Sequence, residues 1–267
     1  MSPIFSIVIV HYDASQYLGP CLRSVAHAAG DIPHEIIIVD NASPNGPPPP
    51  NGFRRARWIY NRKNVGWAAA INQGVQESSG EILLLLNPDT ELLPSSLNAF
   101  LRFFEDRKSL RLGPVGGKLL FPNGDLQPSC GPFPHLGNLL WRLPLRPRVR
   151  RCYLSVSASA PMRAHWVSGA FMTIRRRAFD ELGGMDAGFF LYYDDTDFCF
   201  RAQEAGLATY YLPEAAAYHH NPHCLRKNAD SRLESIIQGS RLLYFKKHRP
   251  RWESWVLGQL QKWETTG

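Results

Sequence analysis

Glu81-Ile82-Leu83-Leu84-Leu85-Leu86-Asn87-Pro88-Asp89 is an apolar run that ends abruptly in polar residues. An unbroken aliphatic run of this length reads as a strand buried on both faces. The same pattern recurs upstream. Phe5-Ser6-Ile7-Val8-Ile9-Val10 is followed by His11-Tyr12-Asp13, and Glu35-Ile36-Ile37-Ile38-Val39 by Asp40-Asn41-Ala42-Ser43-Pro44-Asn45-Gly46. A shorter strand, Arg57-Trp58-Ile59-Tyr60, precedes the loop from Asn61 to Gly66.

Helical segments separate these strands. One runs from Ser15 to about Ala29 and is closed by Gly30 and Pro33. Another runs from Trp67 to about Glu77. A third, from Pro94 to about Lys108, carries an apolar stripe of Leu97, Leu101 and Phe104. Alternating strands and helices predict an α/β fold, a doubly wound, mostly parallel sheet with helices on both faces.

Beyond Leu112 the rhythm changes. Val115 to Phe121 reads as a strand, and residues 122–164, rich in Pro, Gly, Ser and Arg, as irregular. Trp166 to Ile174 reads as one strand, Arg175 to Leu182 as a short helix, Thr196 to Gly206 as a helix and Ala208 to Leu212 as a strand. Residues 231–248 and 251–264 read as amphipathic helices separated by Pro250. The chain divides into a main domain over 1–225, with halves 1–110 and 111–225, and a helical extension over 226–267.

The chain has 30 Lys and Arg against 23 Asp and Glu, a net charge of +7. This suits an anionic partner such as a nucleotide or a phospholipid surface. Five scattered cysteines with no C-x-x-C pair argue against a disulfide framework or zinc site and for a reducing, cytoplasmic compartment. No apolar run approaches the about 20 residues that span a bilayer.

In an open α/β sheet, ligands bind beyond the carboxyl ends of the strands. Four successive strand ends here are polar: His11-Tyr12-Asp13, Asp40-Asn41, Asn61 to Gly66, and Asn87-Pro88-Asp89. The glycine fingerprint of dinucleotide sites and the P-loop are both absent, which counts against those ligands. A carboxylate after the second strand can accept hydrogen bonds from a ribose or a base edge. Asp89 could meet a diphosphate only through a divalent cation, and hard oxygen ligands suit Mg²⁺ or Mn²⁺.

The second half holds an acidic cluster, Phe189-Phe190-Leu191-Tyr192-Tyr193-Asp194-Asp195-Thr196-Asp197-Phe198. Its three carboxylates are framed by aromatics, so they need a cation, a proton or hydrogen-bonding backbone. Such a cluster is a candidate for acid–base chemistry, with a helix N-terminus as the plain structural alternative. Asp197 and Arg201 have the spacing of a helical ion pair, and Asp186 that of a turn residue.

Taken together, these stretches resemble the inverting family 2 glycosyltransferases of the GT-A fold, in their rhamnosyltransferase-like branch. The resemblance rests on Ser6–Tyr12, Ile37–Ser43, Asn64–Gly74, Leu86–Thr90, Val167–Ala170, Gly183–Arg201 and Tyr218-His219-His220, in the family's order. It implies that Asp40 holds the nucleotide base, with Tyr12, Asn64 and Gly66 lining that pocket. Asp89 is then the metal-contacting member of the Asp-x-Asp motif, whose first position here is Asn87. Gly169 lies under the donor sugar, Asp195 aligns with the catalytic base, and Asp194 precedes it where the family commonly has Glu. His219, or its neighbour His220, reaches the metal or diphosphate.

The implied activity is transfer of a sugar, with dTDP-rhamnose as the favoured donor, to a hydroxyl of a glycan or lipid-linked acceptor. A nucleotide-sugar hydrolase or a sugar-binding module on the same fold is the alternative, and no nucleic acid is implied. Two segments are candidates for peripheral contact at the inner face of a membrane. Residues 141–151 contain five arginines, and in 251–264 Trp252, Trp255, Val256, Leu260 and Trp263 share one helical face. Burial against the domain is the default expectation for that tryptophan face.

Overall fold

The computed structural model describes residues 2–46, 56–140, 158–220 and 231–266. The arginine run at 141–151, Cys152 and Cys224, and the side chain of Trp263 lie outside the described residues.

In the first half the elements are β1 (Phe5–His11), α1 (Ser15–Ala29), β2 (His34–Asp40), β3 (Ala56–Tyr60), α2 (Trp67–Gln76), β4 (Ile82–Leu86), β5 (Thr90–Leu92) and α3 (Ser96–Asp106). There follow β6 (Leu112–Leu120), β7 (Leu126–Gln127), β8 (Cys130–Gly131), α4 (Leu136–Leu140), β9 (Met162–Arg163), β10 (Trp166–Val167), β11 (Phe171–Arg175) and α5 (Arg176–Glu181). The chain continues through α6 (Asp194–Glu204), β12 (Ala208–His219), α7 (Ser231–His248) and α8 (Arg251–Thr266).

The main sheet has the order β3-β2-β1-β4-β11-β6-β12-β5. β3, β2, β1 and β4 are mutually parallel. β11 is antiparallel to both β4 and β6, which makes β6 and its parallel neighbour β12 run with β4. β5 returns antiparallel on the edge. The sheet is therefore mixed but mostly parallel. The carboxyl ends of β1, β2, β3, β4, β6 and β12 share one rim with the amino ends of β11 and β5.

The strand sequences explain why both faces are covered. Alternate residues along β1 serve opposite cores: Phe5, Ile7 and Ile9 pack with α1 and α3, whereas Val8 and Val10 pack with α2, α5 and α6. β4 divides in the same way, with Leu84 and Leu86 on one side and Leu83 and Leu85 on the other. A third cluster of Leu136, Phe189, Tyr193, Tyr244, Phe245 and Leu257 seats α7 and α8 against the loop that precedes α6.

Three elements depart from the sequence-based expectation. The strand expected over 166–174 is interrupted at Ser168-Gly169-Ala170, because the backbone there leaves the ladder: Gly169 N–H turns to a side chain and Ala170 N–H to Ser168 Oγ. The strand expected over 208–212 continues to His219. Pro213 has no N–H to offer the ladder, and the register shift between Leu212 and Ala216 absorbs it as a bulge. The stretch expected to be irregular, 122–164, contains β7, β8, α4 and β9 among its described residues.

Glycine sets the close contact between β6 and its sheet neighbours β11 and β12. A Cβ on Gly117 would lie 2.3 Å from the Phe171 ring and 2.9 Å from the carbonyl oxygen of Ala215, leaving no flexible neighbour to yield. Gly117→Ala is expected to destabilise the fold by about 1–3 kcal/mol in chemical denaturation. A loss below about 0.5 kcal/mol would show that this packing is looser than described.

Candidate active site

The rim carries three groups of polar side chains. The first sits at the ends of β1 and β2, where His11 and Asp40 are register partners. His11 Nδ1 lies 2.9 Å from Asp40 Oδ1, Ser43 Oγ donates to the same oxygen at 2.6 Å, and Ser43 N–H approaches Oδ2 at 3.3 Å. His11 is fully buried and Asp40 nearly so. The carboxylate is thus held in place by its own strand neighbours.

Asn41 fastens the adjoining loop. Its Oδ1 accepts from Val65 N–H and Asn61 Nδ2, and its Nδ2 donates to Asn64 Oδ1 and Gly66 O. Tyr12, which follows His11 in the chain, is exposed. Gly66, with φ 88°, is pressed against the backbone of Phe190, whose carbonyl oxygen accepts from Trp67 N–H at 2.8 Å. A side chain at 66 would both strain the backbone and collide.

The second group lies at the ends of β4 and β12. Asp89 Oδ1 and His219 Nε2 are 3.3 Å apart, and both residues are buried to more than nine-tenths. Asn87 Nδ2 lies 3.4 Å from the same imidazole nitrogen. The neighbouring His220 faces elsewhere: it meets Glu91 Oε1 at 2.8 Å and stacks on Tyr17.

Behind His219, Gln127 Nε2 lies 3.0 Å from Nδ1, while Gln127 Oε1 is buried with no hydrogen-bond partner among the described residues. Oxygen and nitrogen of an amide are interchangeable in shape. With the amide turned over, Oε1 would accept from Nδ1–H and leave the Nε2 lone pair facing Asp89.

Among the described residues no group of three His, Cys, Asp or Glu side chains converges as a metal cage. One carboxylate and one imidazole nonetheless fit a divalent cation that takes most of its oxygens from phosphate and water. They do not fit a closed, all-protein site.

The third group opens α6. Tyr192 and Tyr193 both have left-handed backbones, φ 67° and 62°, a conformation that costs about 1–3 kcal/mol per residue and clusters at functional sites. It turns the chain so that Asp194, Asp195 and Asp197 enter the first helical turn, at the positive end of the helix dipole. The helix starts two residues earlier than its sequence indicates.

The three carboxylates differ in surroundings. Asp197 is fully buried and bound by Arg201 Nε at 2.8 Å and His248 Nε2 at 2.6 Å, so it ties α6 to α7. Asp194 is buried, and its Oδ2 has no hydrogen-bond partner among the described residues. Burial, and then the charge of Asp195, push its carboxyl well above the usual carboxylate range. Asp195 is partly open to solvent. Burial raises its carboxyl too, against the pull of hydrogen bonds from Gly169 N–H at 3.0 Å, Thr196 N–H at 2.7 Å and Thr196 Oγ.

Gly169 couples these groups. Its N–H binds Asp195, and a Cβ there would sit 2.7 Å from the Trp67 indole. The next carbonyl, Ala170 O, accepts from Asn87 N–H at 3.1 Å. Two hydrogen bonds, joined through the backbone of Gly169 and Ala170, thus link the β4 terminus to the Asp195 carboxylate.

The structure brings Asp40, Asn64 and Gly66 together through Asn41, leaves Tyr12 exposed next in the chain to His11, and pairs Asp89 with His219. Gln127 and Ser43 had escaped the sequence reading. Gln127 sits in a segment that looked irregular, and Ser43 in a stretch that reads simply as turn residues.

The chain belongs to the family described as glycosyl transferase family 2, which matches residues 6–183. It is 26% identical to the N-acetylglucosaminyl-diphospho-decaprenol L-rhamnosyltransferase of Mycobacterium tuberculosis, over 96% of this chain and 90% of that one. It is 25% identical to the rhamnosyltransferase WbbL of Escherichia coli over 58% of each chain.

Among solved structures, the mannosyltransferase PcManGT of Pyrobaculum calidifontis, in complex with GDP-Man and Mn²⁺, superposes with a TM-score of 0.58 at 17% identity, covering 92% of this chain and 64% of that one. GalNAc-T7 with UDP, GalNAc and Mn²⁺ gives 0.61 at 15% identity, covering 90% of this chain and about half (48%) of that one. The fold is that of the GT-A glycosyltransferases.

The raised carboxyl of Asp194 has a thermodynamic consequence. An acid that ionises less readily when folded contributes stability below its unfolded value and loses it as pH rises toward its folded one. Asp194→Asn removes this dependence. The melting temperature of the variant relative to the parent is expected to climb from about pH 4 to pH 7. A difference that stays flat over that range would contradict the burial described.

Proposed function

We propose that this protein is an inverting glycosyltransferase that moves a hexosyl unit, with rhamnose from dTDP-rhamnose as donor, to a hydroxyl of a glycan or lipid-linked acceptor. The observation that carries this reading is the placement of one partly open carboxylate, Asp195, on the same rim as the Asp40 pocket and the Asp89–His219 pair. The names of the two rhamnosyltransferase relatives support the donor. In this reading residues 1–110 bind the nucleotide, 111–225 form the catalytic half and 226–267 are an extension. A lipid-linked acceptor would bring the enzyme to the cytoplasmic face of a membrane.

The chain's own residues supply the chemistry in the following way. Asp40, fixed by His11 and Ser43, orients the base edge, with Tyr12, Asn64 and Gly66 as walls. Asp89 and His219 would hold Mg²⁺ or Mn²⁺, which neutralises diphosphate charge when bound. Asp195 accepts the acceptor hydroxyl proton. The hydroxyl oxygen then bonds to the anomeric carbon as the bond to the diphosphate oxygen breaks on the opposite face. Hydrogen bonds from Gly169 and Thr196 keep the Asp195 carboxylate aimed throughout. Burial disfavours the charged form of Asp194, which spares Asp195 a second charge at close range.

Two measurements test this reading. Asp195→Asn is expected to lower turnover by roughly 10²–10⁴-fold, while the stabilisation of the fold by dTDP with Mn²⁺ is retained. Turnover at the parental rate would remove Asp195 as base, and free sugar as sole product with every acceptor would identify a hydrolase. Because burial raises Asp195, the acidic limb of the kcat/KM profile should lie above the ordinary aspartate value of about 3.9. A limb at or below it would exclude a base raised by its surroundings.

A further inference from the structure

The inward face of α8 is marked by Glu253, Leu257 and Gln261, all buried. Leu257 joins Phe189, Tyr193, Tyr244 and Phe245. Glu253 accepts from Leu136 N–H and from Arg249, and Gln261 Nε2 donates to Gln238 O. The helical step of about 100° per residue turns positions 251, 252, 255 and 259 to the other side. Contrary to the default expectation for this helix, Trp252 and Trp255 are 60% and 67% exposed. Leu257, with Val256 and Leu260 of the expected face, supplies the packing, and the fold leaves both indoles in water.

The outward arc is also selective in charge. Arg251 lies on it, exposed, next to Trp252. Lys246, also exposed, lies in the last turn of α7 just before the Pro250 corner, while its neighbour Lys247 is paired with Asp186. Glu253 is turned inward and matched by Arg249. Residues 231–267 as a whole contain seven Lys and Arg against three Glu. Paired indoles beside cations, with no carboxylate at described positions of the arc, match a surface that is apolar beneath and anionic above. A second copy of the same face would set like charges against each other.

We propose that this face of α8 docks on an anionic phospholipid surface. Trp252 and Trp255 sit at headgroup level, with Arg251 and Lys246 among the lipid phosphates. The helix is held rigidly by Leu257 and the Glu253–Arg249 pair, so the indoles are presented without folding on contact. Through Phe189 and Tyr193 the docking face connects to the loop that leads into Asp194 and Asp195. The inference goes beyond the proposed reaction, because the surface is complete whatever the acceptor is.

The test uses the full chain and flotation with vesicles of phosphatidylcholine, with or without about 30% phosphatidylglycerol. The parent should bind the anionic vesicles and release them as salt rises from about 0.1 M to about 1 M. Trp252→Ala/Trp255→Ala should bind at least about tenfold more weakly, with an unchanged melting temperature and unchanged stabilisation by dTDP and Mn²⁺. Absent binding by the parent, or equal binding by the variant, would overturn the proposal. So would a melting temperature lowered by several degrees, since it would mean that the indoles are covered within the chain. Light scattering that shows a dimer dissociated by the double substitution would assign the face to a second copy instead.

Discussion

The hydrogen bond from Gly169 N–H to Asp195 Oδ2 is the contact on which the arrangement of the rim depends. It is made possible by a break in a strand. Had Trp166 to Ile174 run unbroken, that N–H would have been spent in the ladder and the carboxylate would have lost a donor. The residue must be glycine, because the Trp67 indole occupies the space of a Cβ. Trp67 in turn begins α2, whose first N–H is bound by Phe190 in the loop before Asp194. Strand end, helix start and acidic loop therefore fix one another.

Charge is distributed unequally among the acidic groups, and burial decides how. Asp40 and Asp197 are buried with imidazole and further partners, and both serve as fixed parts of the frame. Asp194 is buried beside another carboxylate, which favours its neutral form. Asp195 alone of the acidic pair is partly open while keeping three donors. A single segment thus yields a structural anchor, a carboxyl whose neutral form is favoured, and the partly open carboxylate proposed as the base.

Much of the fold was legible because hydrophobic runs such as Ile82–Leu86 admit one reading, a strand covered on both sides. The polar ends of β1, β2 and β4 were legible for the same reason, since an abrupt change of character marks the rim. What escaped depended on contacts distant in sequence. The interruption at Ser168–Ala170 answers to Asp195, which lies 26 residues beyond Gly169. His219 and Gln127, separated by 92 positions, meet only because β7 pairs with β6 and β6 with β12. The tryptophans of α8 misled because amphipathic periodicity identifies a face but not the side that is wet.

The proposed reaction is a single displacement at the anomeric carbon, with Asp195 taking the proton. The most direct measurement is the anomeric configuration of the product, read by NMR from a donor of known configuration. Inversion is expected, a β-linked product from an α-linked donor or the reverse. Retention of configuration would contradict it, because retention in one active site requires a second displacement or a front-face path that an Asp195 base does not provide.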